Sequence, residues 1–257
     1  APINKWCRKM EQRDDCIHIH TDYRDVPLDW LGQDLIDSAE IMRQADEKQY
    51  RWVWLGEPTG VDDLIYYMFS AKKHVYLSGD LSPQSKEALG EIGIGVDYGQ
   101  QNPTVYEAFG IDYEEQVLRG IKEYYHSGRE SGKQKSPSEY ARDLKAFCEE
   151  IEGEYKRVVS YIFIDPSAAG LIEEVRRVLP HIPVMPAQND VKLGISRIQR
   201  LLTFNKMAIS SRQRMLIKEM GLYQYDAKSI EKGREVPVKE WDHCLDSCRY
   251  LCSGMWH

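Results

Sequence analysis

Three carboxylates sit where their type and spacing allow chemistry. Asp97 closes the alternating run Ile92-Gly93-Ile94-Gly95-Val96, Asp165 follows the apolar run Arg157 to Ile164, and Asp246 stands with Asp242 and His243 on one polar stripe near the C-terminus. Each has an ordinary reading. An Asp before Tyr98-Gly99 is a turn residue, an Asp before Pro166 is a helix N-cap with proline at the first helical position, and an Asp on an exposed helix face usually does nothing. Together they read differently, because two lie at the C-terminal ends of strands, the end at which open α/β sheets form their sites. If those strands are neighbours, about 4.8 Å apart, Asp97 and Asp165 point at the same place. Like charges that close repel unless a cation lies between them. Three carboxylates suit two hard divalent cations, magnesium or manganese. His243, three residues before Asp246, is then placed to orient or deprotonate a water.

The elements that must position these groups follow from periodicity. Ile92, Ile94 and Val96 bury one strand face, while Gly93 and Gly95 leave the other almost bare, with room for something to approach the backbone closely. Asn102-Pro103 turns the chain into a second strand, Thr104 to Ile111, and Gln116 to Tyr125 is a third. His126 to Ser138 reads as a loop, Tyr140 to Glu152 as a helix, and Arg157 to Ile164 as a strand. Helices over 172–179, 191–202 and 212–220 alternate with short strands over 182–185 and 207–209. Tyr223 to Val238 reads as an exposed hairpin turning at Lys232-Gly233, and Trp241 to Cys252 as the last helix. Its stripe Cys244, Cys248 and Cys252 is core in this reading. The pattern predicts an α/β fold with a mixed sheet flanked by helices.

Earlier in the chain, Leu28 to Lys48 has helical spacing, and Trp52 to Leu55 reads as a short strand before Gly56-Glu57-Pro58-Thr59-Gly60. Segments 64–69 and 75–77 look extended. A boundary is expected there, dividing a small linker subdomain, 1–60, from a domain over 61–257. Cys16, His18 and His20 alternate on a strand-like run; a zinc half-site needs further ligands that are not in evidence, and a polar strand face suffices.

The chain has 257 residues and a net charge of -7, so it is not uniformly cationic, which leaves room for a local basic groove. No run of about 18 apolar residues is present. Six scattered cysteines and no signal sequence fit a reducing cytosol. Ala1-Pro2, with no initiator Met, reads as a fragment.

Gly95-Val96-Asp97-Tyr98-Gly99 with Asn102-Pro103-Thr104, then Phe163-Ile164-Asp165-Pro166-Ser167-Ala168, then Asp242-His243-Cys244-Leu245-Asp246-Ser247-Cys248-Arg249-Tyr250, resemble in order the C-terminal nuclease domain of the large subunit of tailed-phage DNA-packaging terminases. His20 to Asp25 and Leu55-Gly56-Glu57 resemble the tail of that family's motor domain. The resemblance implies a ribonuclease-H-like fold and a metal-dependent endonuclease that cuts concatemeric double-stranded DNA in the host cytoplasm. It assigns Asp97, Asp165 and Asp246 as metal ligands and His243 as an auxiliary group. It implies a terminase small subunit and a portal protein as partners of the full-length protein, with the fragment itself a monomer, and it has the 223–238 hairpin overhang the cleft. The motor's ATPase should precede this chain, which has no Gly-x-x-x-x-Gly-Lys-Ser/Thr loop.

DNA needs cations. Between Val191 and Lys218 there is no Asp or Glu, while Lys192, Arg197, Arg200, Lys206, Arg212, Arg214 and Lys218 all fall there. A basic run is usually a solvated face, and seven cations without an acid also make a phosphate-binding surface. Lys232 adds charge to the hairpin, and the loop 126–135 is a second candidate. Two other readings stay open: another enzyme on this fold, such as a Holliday-junction resolvase, or a non-catalytic module docking on DNA or a portal.

Overall fold

The computed structural model describes residues 13–17, 19–57, 64–77, 79, 81, 85–86, 88–100 and 102–256. Seven strands form one sheet: β1 (Val75–Tyr76), β2 (Leu89–Asp97), β3 (Thr104–Asp112), β4 (Val117–His126), β5 (Val159–Ile164), β6 (Val184–Pro186) and β7 (Met207–Ser210). Their order is β1-β7-β4-β3-β2-β5-β6. β2, β3 and β4 form an antiparallel meander, and the remaining pairings are parallel, so β3 alone runs against the others. This is the mixed sheet expected from a meander followed by alternating helices and strands.

The two faces of β2 explain the layers. Ile92, Ile94 and Val96 are buried against helix Pro137–Tyr155 through Tyr140, Leu144, Phe147 and Ile151. That helix starts cleanly: Ser136 accepts from the Glu139 N–H, Glu139 reaches back to the Ser136 N–H, and Pro137 occupies the first turn. The bare face of β2 receives helix His243–Met255. A Cβ on Gly95 would lie 1.9 Å from the Ser247 carbonyl oxygen, and one on Gly93 2.1 Å from the Met255 sulfur. Gly254 does the same on the helix side, where a Cβ would meet the Phe163 ring at 2.0 Å. Ser247 Oγ donates to the Gly95 carbonyl at 2.7 Å, tying helix to strand. What approaches the glycine face is therefore the helix that carries Asp246.

The described chain divides into two compact units, one running to Met68 and including Gln224–Val238, the other comprising Phe69–Tyr223 and Lys239 onward. The division expected at 60/61 thus falls at 68/69, and a segment late in sequence joins the first unit. Within that unit the helix expected over 28–48 is three: Leu28–Leu31, Gln33–Ala45 and Glu47–Val53. Gly32, at φ 75°, breaks the first from the second. Asp46 then accepts from the Gln49 N–H and restarts the helix, which takes in Trp52 and Val53 of the strand expected over 52–55 and caps at Trp54. Tyr23, Tyr50 and Trp54 pack there edge to face. Cys16 and His20 lie outside any strand, and His18 is outside the described residues. Residues 65–68 are a turn, with Leu64 bridged to Gln224. The expected hairpin keeps one bridge, Tyr225 to Pro237, and turns at Gly233 (φ 72°), but Ala227–Glu231 is a helical turn started by Asp226 accepting from the Ser229 N–H.

Candidate active site

The carboxylates expected to converge are built from three elements. β2 and β5 are adjacent and parallel, with Val96 paired to Ile164, so Asp97 and Asp165 leave the sheet side by side at its C-terminal edge. Asp97 shares the face of Gly95 and so points toward the docked helix. Asp246 lies in the first turn of that helix. The hydroxyl of Tyr250, one turn further, donates to Asp165 Oδ2 at 3.2 Å. Burial, and then the charges of Asp97, Asp246 and Asp165, push that hydroxyl well above its ordinary pKa.

Each acid is held differently. Asp165 Oδ1 accepts from the Ser167 N–H at 2.7 Å, and Oδ2 also accepts from Asn189 Nδ2 at 3.0 Å. Burial raises its pKa, yet these bonds outweigh burial and hold it below the usual value. Its reading as a helix cap fails: the helix begins at Ala169 with Ala168 as N-cap, and Asp165 makes a local turn ahead of it. Asp97 Oδ2 is 3.0 Å from His243 Nδ1. Burial pushes Asp97 up, His243 pulls it down, Asp242 and Asp165 push it up again, and the net shift is upward. Asp246 is pushed up to about 6 by burial and by Asp97 and Asp242, against the pull of Arg249, which is only 2% exposed and bonds its Oδ1. His243 is shifted upward: burial opposes its charge, and the Asp97 hydrogen bond and charge outweigh burial.

Two of three clustered carboxylates are thus pushed toward protonation at a partly open edge. Burial leads both shifts, and an all-oxygen donor set fits a hard divalent cation. Ser167, Asn189 and Tyr250 bond Asp165 and Arg249 bonds Asp246; Asn189 lies outside the motifs quoted above, and the other three lie inside them without an assigned role. The spacing of Arg249 and Tyr250, three and four residues after Asp246, was the available signal.

The basic run is not one surface. Helices Val191–Thr203 and His243–Met255 run in the same sense, since Gly194 faces Arg249 and Arg197 Nη1 donates to the Ser253 carbonyl at 3.1 Å. Exposed Lys192 therefore lies at the end nearer Asp246, while Arg200 lies beyond Arg197. Lys206 Nζ donates to the Glu115 carbonyl at the β3–β4 turn, the opposite edge of the sheet. Arg212 makes a two-pronged ion pair with Glu154 at 2.6 and 3.1 Å, and its electrostatic neighbours are Glu154, Tyr155 and Tyr76. It is exposed, with its guanidinium turned toward Glu154. Arg214 is exposed at the start of helix Arg214–Met220, and Lys218 Nζ sits 4.0 Å from the Trp241 ring centroid, just ahead of Asp242. Lys232 is the C-cap of Ala227–Glu231 in the first unit. Sequence proximity grouped residues that the fold separates.

No family model matches the chain, and no curated protein matches it. Solved structures do. The large terminase of a thermophilic bacteriophage, solved in complex with ADP, is 30% identical with a TM-score of 0.73, over 88% of this chain and 52% of that one. The P22 large terminase nuclease domain aligns with a TM-score of 0.55 at 14% identity, over 72% of this chain and 89% of that domain. The large terminase nuclease of thermophilic phage G20c, solved with bound magnesium, aligns with a TM-score of 0.51 at 14% identity, over 75% and 98%. The chain spans about half the length of the ADP-bound terminase. Its structural neighbours are large terminase chains, and its mixed, helix-flanked sheet is the RNase H-like fold of their nuclease domains.

Proposed function

We propose that the unit bearing the seven-stranded sheet is a divalent-metal-dependent endonuclease that cuts double-stranded DNA, acting on concatemeric phage DNA during genome packaging. The observation that carries this is that β2, β5 and helix His243–Met255 bring Asp97, Asp165 and Asp246 to one end of the sheet, where burial first and neighbouring acids second shift Asp97 and Asp246 upward. Asp97, Asp165 and Asp246 would hold magnesium or manganese, two ions in this reading. When bound, the metal supplies an acidified water and positive charge for the departing 3′ oxygen. The magnesium bound by the G20c nuclease is consistent with that choice.

The remaining groups are the chain's own. His243, oriented through Nδ1 by Asp97, leaves its other ring nitrogen to take or hold a proton. Tyr250, Asn189 and the Ser167 N–H fix the rotamer of Asp165, and Arg249 fixes that of Asp246. Nothing here reads a base, so contacts to phosphate would set the DNA path. Lys192 and Arg214 are the exposed cations proposed for it, with Arg197, Arg200 and Lys232 as further contacts. The first unit is proposed as the tail of a motor domain. The small subunit and portal are the proposed partners of the longer protein, in the host cytoplasm.

The test is cleavage of supercoiled plasmid with Mn²⁺, with and without chelator, beside a four-way junction. Chelator-sensitive nicking and linearisation of plasmid supports the proposal. Cleavage confined to the junction would make the protein a resolvase, and no cleavage with intact DNA binding would make it a docking module.

A further inference from the structure

Helix His243–Met255 begins without a cap of its own. Its N-cap residue Asp242 makes no side-chain capping bond, and the chain enters through Trp241 in the left-handed region, at φ 57°. Two N–H groups of its first turn are instead bonded from another helix. Glu219, 1% exposed and on helix Arg214–Met220, accepts from the Cys244 N–H at 2.8 Å and the Leu245 N–H at 3.1 Å, both on Oε2. These are the two positions at which an N-cap side chain normally accepts.

Glu219 is itself fixed from the sheet. Glu107 on β3 and Glu123 on β4 are paired neighbours facing the same helix layer. Glu107 Oε2 accepts from Gln213 Nε2 at 2.7 Å, and Glu123 accepts from the Met215 and Leu216 N–H groups at 3.0 and 2.7 Å. Residues 213–216 therefore stand on strand carboxylates, and Glu219, one turn on, hands that position to the next helix.

Resting on the nuclease reading above, we propose that Glu219 is a positioning residue of the carboxylate site: by capping helix His243–Met255 from a neighbouring helix, it sets where His243 and Asp246 stand. Both residues lie in the first turn, the part of a helix that frays when its N–H groups lose their acceptor. The Ser247–Gly95 bond holds the helix one residue past Asp246 and cannot hold the turn before it.

The experiment compares the whole chain with Glu219→Met, which keeps bulk and removes the acceptor, and Glu219→Gln, which keeps an oxygen for both N–H groups. Amide exchange is read in metal-free protein and Mn²⁺ binding by calorimetry, both at about 10 °C. In the Met variant, exchange at Cys244 and Leu245 accelerates and Mn²⁺ binding weakens, each by about tenfold, while β2 and β3 amides stay slow. The Gln variant recovers most of both. A Met variant with wild-type exchange and Mn²⁺ affinity overturns the proposal. Should the Met variant not fold, the Gln variant decides: retained Mn²⁺ affinity supports positioning by the cap, and tenfold loss with Cys244 and Leu245 still protected overturns it. Absence of Mn²⁺ binding by wild type would instead remove the nuclease reading, and the exchange result would still judge the cap.

Discussion

Two sets of three acids lie on the same face of the sheet, and they are treated in opposite ways. Glu107, Glu123 and Glu219 sit in the interior, where Gln213 bonds one Glu107 oxygen and the N–H groups of two helices bond both Glu123 oxygens and one of Glu219. Burial and the neighbouring Glu123 charge push Glu107 well above the ordinary carboxylate value, and burial pushes Glu219 up to about 7. Asp97, Asp165 and Asp246 sit at the strand ends, half-buried, with side chains rather than helix termini as most of their partners. The interior set is held by N–H groups; the edge set is the one proposed to take a cation.

The comparison can be broken most forcefully at the edge. Alanine at Asp97, Asp165 or Asp246 should lower plasmid cleavage by about a thousandfold or more, while circular dichroism shows a folded protein. Normal cleavage by Asp165→Ala would return that residue to a turn.

Next comes the contact that holds the two sets in register. In Gly95→Ala the new methyl meets the Ser247 backbone oxygen, so the helix must move off the sheet. The expected cost is about 3 kcal/mol or more in urea unfolding, accompanied by loss of Mn²⁺ binding. An unchanged midpoint would mean that the helix is not seated as described.

Glu107→Gln should be nearly silent at low pH, since the amide copies a protonated carboxyl. Its sign with pH follows from linkage. The folded-state pKa of Glu107 is raised, so the wild type loses stability as pH rises above the unfolded value of about 4.5, where the unfolded chain releases a proton that the native state keeps. Melting curves should therefore coincide below about pH 4.5, and the Gln variant should melt higher at about pH 8. A Gln variant that melts lower there would mean that Glu107 is ionised in the native state.

Smallest of all is the effect of Arg212→Ala, whose partner Glu154 holds it away from the carboxylate edge. DNA affinity and its slope with salt should stay at wild type, whereas Lys192→Ala and Arg214→Ala each flatten the log-log slope by about 0.9. A changed slope for Arg212→Ala would reopen its role in DNA binding.

Much of this was legible in the chain. Strand β2 was visible because its apolar period ran over 92–97 without interruption, and its bare glycine face announced a close approach, though not that helix His243–Met255 made it. That Asp97 and Asp165 stand side by side could be argued from strand ends alone. The supports could not, because Asn189 reaches Asp165 across 24 residues of sequence and Glu219 reaches Cys244 across 25. The basic run misled for the same reason: helix Val191–Thr203, β7 and helix Arg214–Met220 carry consecutive cations to different edges of the sheet. The 28–55 region was misread where single residues, Gly32 and Asp46, reset the helix and periodicity carries no such signal.

The central claim, that the edge carboxylates await a shared cation, is tested most directly by melting wild type and Asp97→Asn in chelator and in Mn²⁺ at neutral pH. Asp97 carries a raised native pKa, so its ionised form costs stability at this pH and Asn relieves it, with the His243 partner still able to bond. In chelator the Asn variant should melt higher than wild type. With Mn²⁺ at a hundredfold excess over Kd, wild type should gain about 2.7 kcal/mol and the variant much less. A wild type that gains nothing from Mn²⁺, or an Asn variant that melts lower in chelator, would contradict the claim.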